Sequence, residues 1–130
     1  MKRIVLVLTV LLAGCGGSSS SPTEPSCPNI AGSWAGSFTD SCGRHGTGNV
    51  GITQQGCSFQ MVGLAGPVSG NLSGNNGSFS FPMSSPCTGN GSGTLAVSGN
   101  MISGSFTAQV GGPSAQCCVG STSGGFTLAR

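Results

Sequence analysis

The chain is poor in charge. Of its 130 residues, four are Lys or Arg, two are Asp or Glu and one is His, and tyrosine is absent. Lys2 is the only lysine and Trp34 the only tryptophan. A nucleic-acid-binding surface needs a stripe of cations to neutralise phosphates, and this composition cannot supply one. Glycoside cleavage by paired carboxylates is excluded too, because the only acids are Glu24, in a Ser/Pro run, and Asp40. No G-x-x-x-x-G-K-[ST] segment is available to cradle a phosphate. With a lone His45 and no C-x-x-C pair the cysteines lack the spacing of a zinc site, so neither a metal nor another cofactor is expected. Helical stripes of apolar residues are missing, and the hydrophobic run over residues 4–12 is too short to span a bilayer.

What is present falls into three parts. Met1, Lys2 and Arg3 precede the run over residues 4–12, which closes in Leu12-Ala13-Gly14-Cys15. A basic start, a short apolar middle and small residues before a cleavage point mark an export signal. The four closing residues resemble the lipobox of bacterial lipoproteins. That resemblance implies removal of residues 1–14, acylation of Cys15, and a mature chain held on a membrane by its lipid without crossing it. Gly16, rather than Asp, follows the cysteine, which implies delivery to the outer membrane in a host with two membranes. Residues 15–26 then form the lipidated Cys15 and a flexible Ser/Pro linker, and residues 27–130 are the size of one domain. Cleavage would leave Arg44 and Arg130 against Glu24 and Asp40, with no net charge when His45 is neutral.

Setting Cys15 aside from the seven cysteines leaves Cys27, Cys42, Cys57, Cys87, Cys117 and Cys118. An even number in a small exported domain reads as three disulfides. The 25 glycines raise the entropy lost on ordering the chain, and bridges contributing about 2–4 kcal/mol each would offset part of it. Adjacent Cys117 and Cys118 are expected to take different partners, because joining each other would strain the ring they close.

From Ile30 onward the pattern has period two. Ile30, Gly32, Trp34, Gly36 and Phe38 share one face, and the alternation recurs around Val50 and Ile52, Phe59 and Met61, Val68 to Leu72, Phe79 and Phe81, Leu95 and Val97, Ile102 to Phe106, and Phe126 and Leu128. Gly74-Asn75-Asn76-Gly77 and Gly99-Asn100 supply turn chemistry. The fold class is therefore all-β: an antiparallel up-and-down meander of about eight short strands, closed into a small disulfide-braced barrel that leaves no open edge. Strand parity places Cys27 and Cys57 at one end and Cys42, Cys87, Cys117 and Cys118 at the other. The expected bridges are Cys27 to Cys57, with Cys42 and Cys87 each taking one of Cys117 and Cys118. A turn at Gly70-Asn71 would upset this parity. The six phenylalanines, with Ile30, Ile52, Leu95 and Leu128, are expected to fill the barrel and leave little room for a deep cavity.

Gly32-Ser33-Trp34 resembles the G-x-W motif of lipocalin and avidin-like barrels. The resemblance implies an eight-stranded barrel with Trp34 closing one end and a basic residue of the last strand, here Arg130, lying over it, a cation–π contact worth about 0.5–2 kcal/mol. The remaining ionisable groups, Asp40, Arg44 and His45, surround Cys42 in the first loop and form the candidate binding rim at the opposite end. A serine activated by His45 and oriented by Asp40 can be drawn, but in a glycine-rich loop nothing holds the imidazole, and catalysis is not expected. The expected role is that of a non-enzymatic, membrane-anchored domain that binds a protein or small ligand at its loop end. Inhibition of a secreted protease and a structural part in the cell envelope are the alternatives.

Overall fold

A computed structural model describes residues 26–63 and 66–130. The expected signal peptide, Cys15 and all of the linker but Ser26 lie outside the described residues. Eight strands follow one another: β1 (Gly32–Asp40), β2 (His45–Gln55), β3 (Ser58–Val62), β4 (Val68–Ser73), β5 (Asn76–Met83), β6 (Thr88–Ser98), β7 (Met101–Gly111) and β8 (Gly120–Ala129). Each pairs antiparallel with its neighbours in sequence, and β8 pairs with β1 to close the barrel. Gly70 and Asn71 lie inside β4, so the parity of the strands is uninterrupted.

The two ends are built differently. At one end, β4 and β5 join through Gly74-Asn75, and β6 and β7 through Gly99-Asn100. Gly74 and Gly99 have φ of 60° and 57°, whereas among the described residues none other than glycine has positive φ. A glycine at the first turn position and an ordinary residue at the second is the tight hairpin turn whose twist matches that of the strands. The other end carries the longer connections, over residues 41–44, 63–67, 84–87 and 112–119.

Side chains alternate across the wall as the pleat requires. Trp34, Val50, Ile52, Phe59, Leu72, Leu95, Ile102, Val110 and Leu128 are buried inside. Outward positions are Ser, Thr, Asn and Gln almost throughout, as in Thr88, Asn90, Ser92 and Thr94 of β6. A barrel that crosses a membrane has the reverse pattern, with an apolar belt outside.

Phenylalanine and glycine face each other across the strands. Phe38 lies opposite Gly46, Phe59 opposite Gly70, Phe79 opposite Gly93, Phe81 opposite Gly91, Phe106 opposite Gly124 and Phe126 opposite Gly104. In every pair the ring reaches so far over the glycine that a Cβ there would collide with it. The rings therefore lie sideways along the wall instead of pointing at the barrel axis. They also meet one another: Phe79 and Phe126 are edge to face with centroids 5.6 Å apart, and Phe81 and Phe106 likewise at 5.9 Å.

Gly93→Ala tests this packing. Its Cβ would run into both the Phe79 ring and the Ser105 carbonyl oxygen, so urea unfolding will show a loss of about 2 kcal/mol or more, as overpacked cores do. In Gly51→Ala the new methyl meets only Val62 Cγ2 at 3.7 Å, and the change will stay within about 0.5 kcal/mol.

Candidate functional site

The end with the tight turns is sealed. The segment before β1 crosses it and buries Ile30 completely, and Ile30 O accepts a hydrogen bond from Trp34 Nε1 at 2.8 Å. Gln54 holds the segment from the wall: its Oε1 accepts from Ile30 N at 2.7 Å and its Nε2 donates to Pro28 O at 3.0 Å. Cys27 and Cys57 are joined across the same end, with Cα atoms 5.5 Å apart. Arg130 covers the outside. Its guanidinium carbon is 4.3 Å from the centre of the Trp34 ring, and its Nη1 and Nη2 donate to Ala31 O and Asn29 O, both at 2.9 Å.

The other end is tied but not filled. Cys42 is bonded to Cys118, with Cα atoms 6.2 Å apart, and Cys87 to Cys117, at 5.6 Å. The adjacent cysteines thus fasten the β1–β2 and β5–β6 connections to the β7–β8 loop, and the order that parity left open is resolved. Ser41 adds polar ties to β8: its N–H donates to Ser123 O at 2.7 Å, and its hydroxyl meets Thr122 Oγ1 at 3.1 Å. Thr122 is a buried polar side chain in an otherwise apolar wall, and this contact satisfies it.

Beneath this mouth lies a cavity of about 290 Å³. Five of the six phenylalanines line it (Phe38, Phe79, Phe81, Phe106 and Phe126), together with Met61, Met83, Ala108 and Leu128. The expectation that aromatic side chains fill the barrel is therefore corrected. Each ring is laid over a glycine of the next strand, and space remains among the rings below the mouth. Near the mouth the wall is low on one side, where β3 and β4 have 5 and 6 residues against 11 in β2, β6 and β7. Val62, Gly63, Gly66 and Val68 edge the cavity there. A second depression, of about 540 Å³, lies on the outside of β5, β6 and β7 and is lined mainly by outward Ser, Thr, Asn and Gln. It is more open and more polar than the interior.

The three residues expected at the rim all lie at this end, but they face two ways. Asp40 ends β1 on an inward position and lines the cavity with Arg44. His45 does not join them. It pairs with Thr39 at the start of β2, and since the next residue, Gly46, faces Phe38 inside, His45 is exposed on the outer wall. No Ser–His–Asp relay is assembled, because the Asp40 carboxylate is fully engaged elsewhere. Its Oδ1 accepts from the backbone N–H of Cys42 and of Arg44, both at 3.0 Å, and its Oδ2 accepts from Arg44 Nε at 2.7 Å. Burial works to raise the Asp40 pKa, but the N–H groups of Arg44 and Cys42 and the guanidinium outweigh it and hold the carboxyl below its ordinary value.

No protein-family model and no curated protein matches the chain. Among solved structures, "Structure of EF1p2_mFAP2b bound to DFHBI" is similar, with a TM-score of 0.56 and 14% identity over 78% of this chain and 93% of that one. At that identity the likeness concerns the fold, an eight-stranded antiparallel barrel.

The Asp40 turn makes stability depend on acid. A carboxylate with a lowered folded pKa stabilises the fold above its unfolded pKa, and the contribution disappears as pH falls through the folded value. Taken from about pH 5 to about pH 2, the wild-type urea midpoint will fall further than that of Asp40→Asn. Parallel midpoints would contradict the role assigned to this turn.

Proposed function

We propose that the protein is a lipid-anchored, exported binding domain that takes up a small apolar ligand in its barrel and catalyses no reaction. The cavity carries this reading. At about 290 Å³, it is at the lower edge of the roughly 300–1,000 Å³ typical of small-molecule sites, and it has their makeup of apolar walls and few polar groups. Ring faces and edges that are not used on one another suit an aromatic or otherwise flat body. The similar barrel described above is bound to DFHBI, which agrees with a ligand-binding role. Bridges that fix the mouth in advance reduce the freedom lost on binding.

The anchor rests on Leu12-Ala13-Gly14-Cys15 and gives the barrel an orientation. The chain enters through Cys27 at the sealed end, so a lipid on Cys15 would leave the mouth facing away from the membrane. Mass spectrometry of the mature protein will find Cys15 at the N-terminus with its acyl groups. An unmodified Cys15, or cleavage at another site, would remove the anchor from the account.

Binding is tested with N-phenyl-1-naphthylamine, an uncharged probe that fluoresces in apolar surroundings. The wild-type domain will bind it saturably at one site. Ala108→Phe places a ring in the cavity and will weaken that binding by about tenfold, equivalent to about 1.4 kcal/mol, in a protein that still unfolds cooperatively. No binding to the wild type, or equal binding to both, would contradict the reading.

A further inference from the structure

The mouth of the cavity holds one ion pair whose partners are engaged unequally. The Asp40 side chain is 2% exposed, and both of its oxygens accept hydrogen bonds inside the β1–β2 turn. Arg44 commits only Nε to that turn. Among the described residues its Nη1 and Nη2 have no protein acceptor, and its side chain, 43% exposed, borders both the cavity and solvent. A guanidinium bound along one edge keeps N–H donors on the others, which match the two oxygens of an anionic group. Among the described residues the other basic groups stand elsewhere: Arg130 is bonded over Trp34 at the sealed end and His45 lies on the outer wall.

We infer that the cavity selects amphipathic monoanions, with an apolar, preferably aromatic, body among the phenylalanines and a carboxylate or sulfonate head on the free nitrogens of Arg44. This rests on the reading of the cavity as a small-ligand site and adds the class of ligand. The Asp40 charge opposes such a head, but it is turned into the loop and already shared among three donors. The guanidinium is the face offered to a ligand. Because the mouth stays open to water, the head group remains partly hydrated, and its preference over an uncharged ligand is about tenfold rather than a thousandfold.

Two probes with the same body separate the head from the cavity. 1-Anilinonaphthalene-8-sulfonate is N-phenyl-1-naphthylamine with a sulfonate added. The wild-type domain will bind the sulfonate about tenfold more tightly at low salt, and added salt will weaken that probe alone. Arg44→Gln will remove the preference and leave affinity for the neutral probe within about twofold. Asp40→Asn removes the opposing charge, will tighten sulfonate binding severalfold, and decides the matter even if Arg44→Gln does not fold. Equal affinities in the wild type, or an Asp40→Asn protein that binds the sulfonate no better, overturn the head-group assignment while the cavity stands. If neither probe binds the wild-type protein, the cavity reading falls and this inference with it.

Discussion

The packing of each phenylalanine over a cross-strand glycine is the constraint on which the rest of this barrel depends. A narrow eight-stranded barrel has little interior width, and six aromatic rings aimed at its axis would crowd it. Glycine removes the Cβ on the neighbouring strand, so the ring folds down onto that strand's backbone. The same contact locks register. A slip by one residue would set most of the rings against a residue with a Cβ and turn the glycines outward. Folding and cavity thus have one cause: the glycines that weaken each strand on its own are the sites that let the rings line the wall and leave space among them.

Around that interior the two ends have different chemistry because they have different tasks. The sealed end is a plug in which Trp34, Ile30, Gln54 and Arg130 leave few polar groups unanswered. The mouth is held open by cross-links instead of by packing. Cys117 and Cys118 draw two connections against the β7–β8 loop, and Asp40 organises the tip of the first turn. With most of the outer wall uncharged, Arg44 and Asp40 are the charged residues that line the cavity.

Much of the architecture can be read from period-two alternation. All eight strands, their antiparallel order and the ends to which the cysteines belong follow from counting apolar positions and turns. The closure of Trp34 by Arg130 follows once the barrel is closed. The cavity does not follow, because composition counts the volume of a phenylalanine and not the direction of its ring. The signal was present in the spacing: Phe79-x-Phe81 meets Gly91-x-Gly93 on the next strand, but only after register is assigned. The side of the wall that His45 faces does not follow either. Nearness in sequence to Asp40 and Arg44 says nothing of which side of the wall the first residue of β2 occupies. The sequence Val-Ser-Gly-Asn occurs at residues 68–71 and again at 97–100 with two outcomes, since Gly70 lies under the Phe59 ring within a strand and Gly99 turns a hairpin with φ of 57°.

The claim that phenyl rings lie on glycines is most directly tested by proton NMR of the folded domain. The α-protons of Gly46, Gly70, Gly91, Gly93, Gly104 and Gly124 are expected to be shifted upfield by the rings above them and to show nuclear Overhauser contacts with phenyl protons, whereas those of Gly74 and Gly99 in the turns will show neither. Ordinary shifts at the six positions, with no phenyl contacts to these glycines, would mean that the rings stand off the strands and project into the interior, which contradicts the cavity.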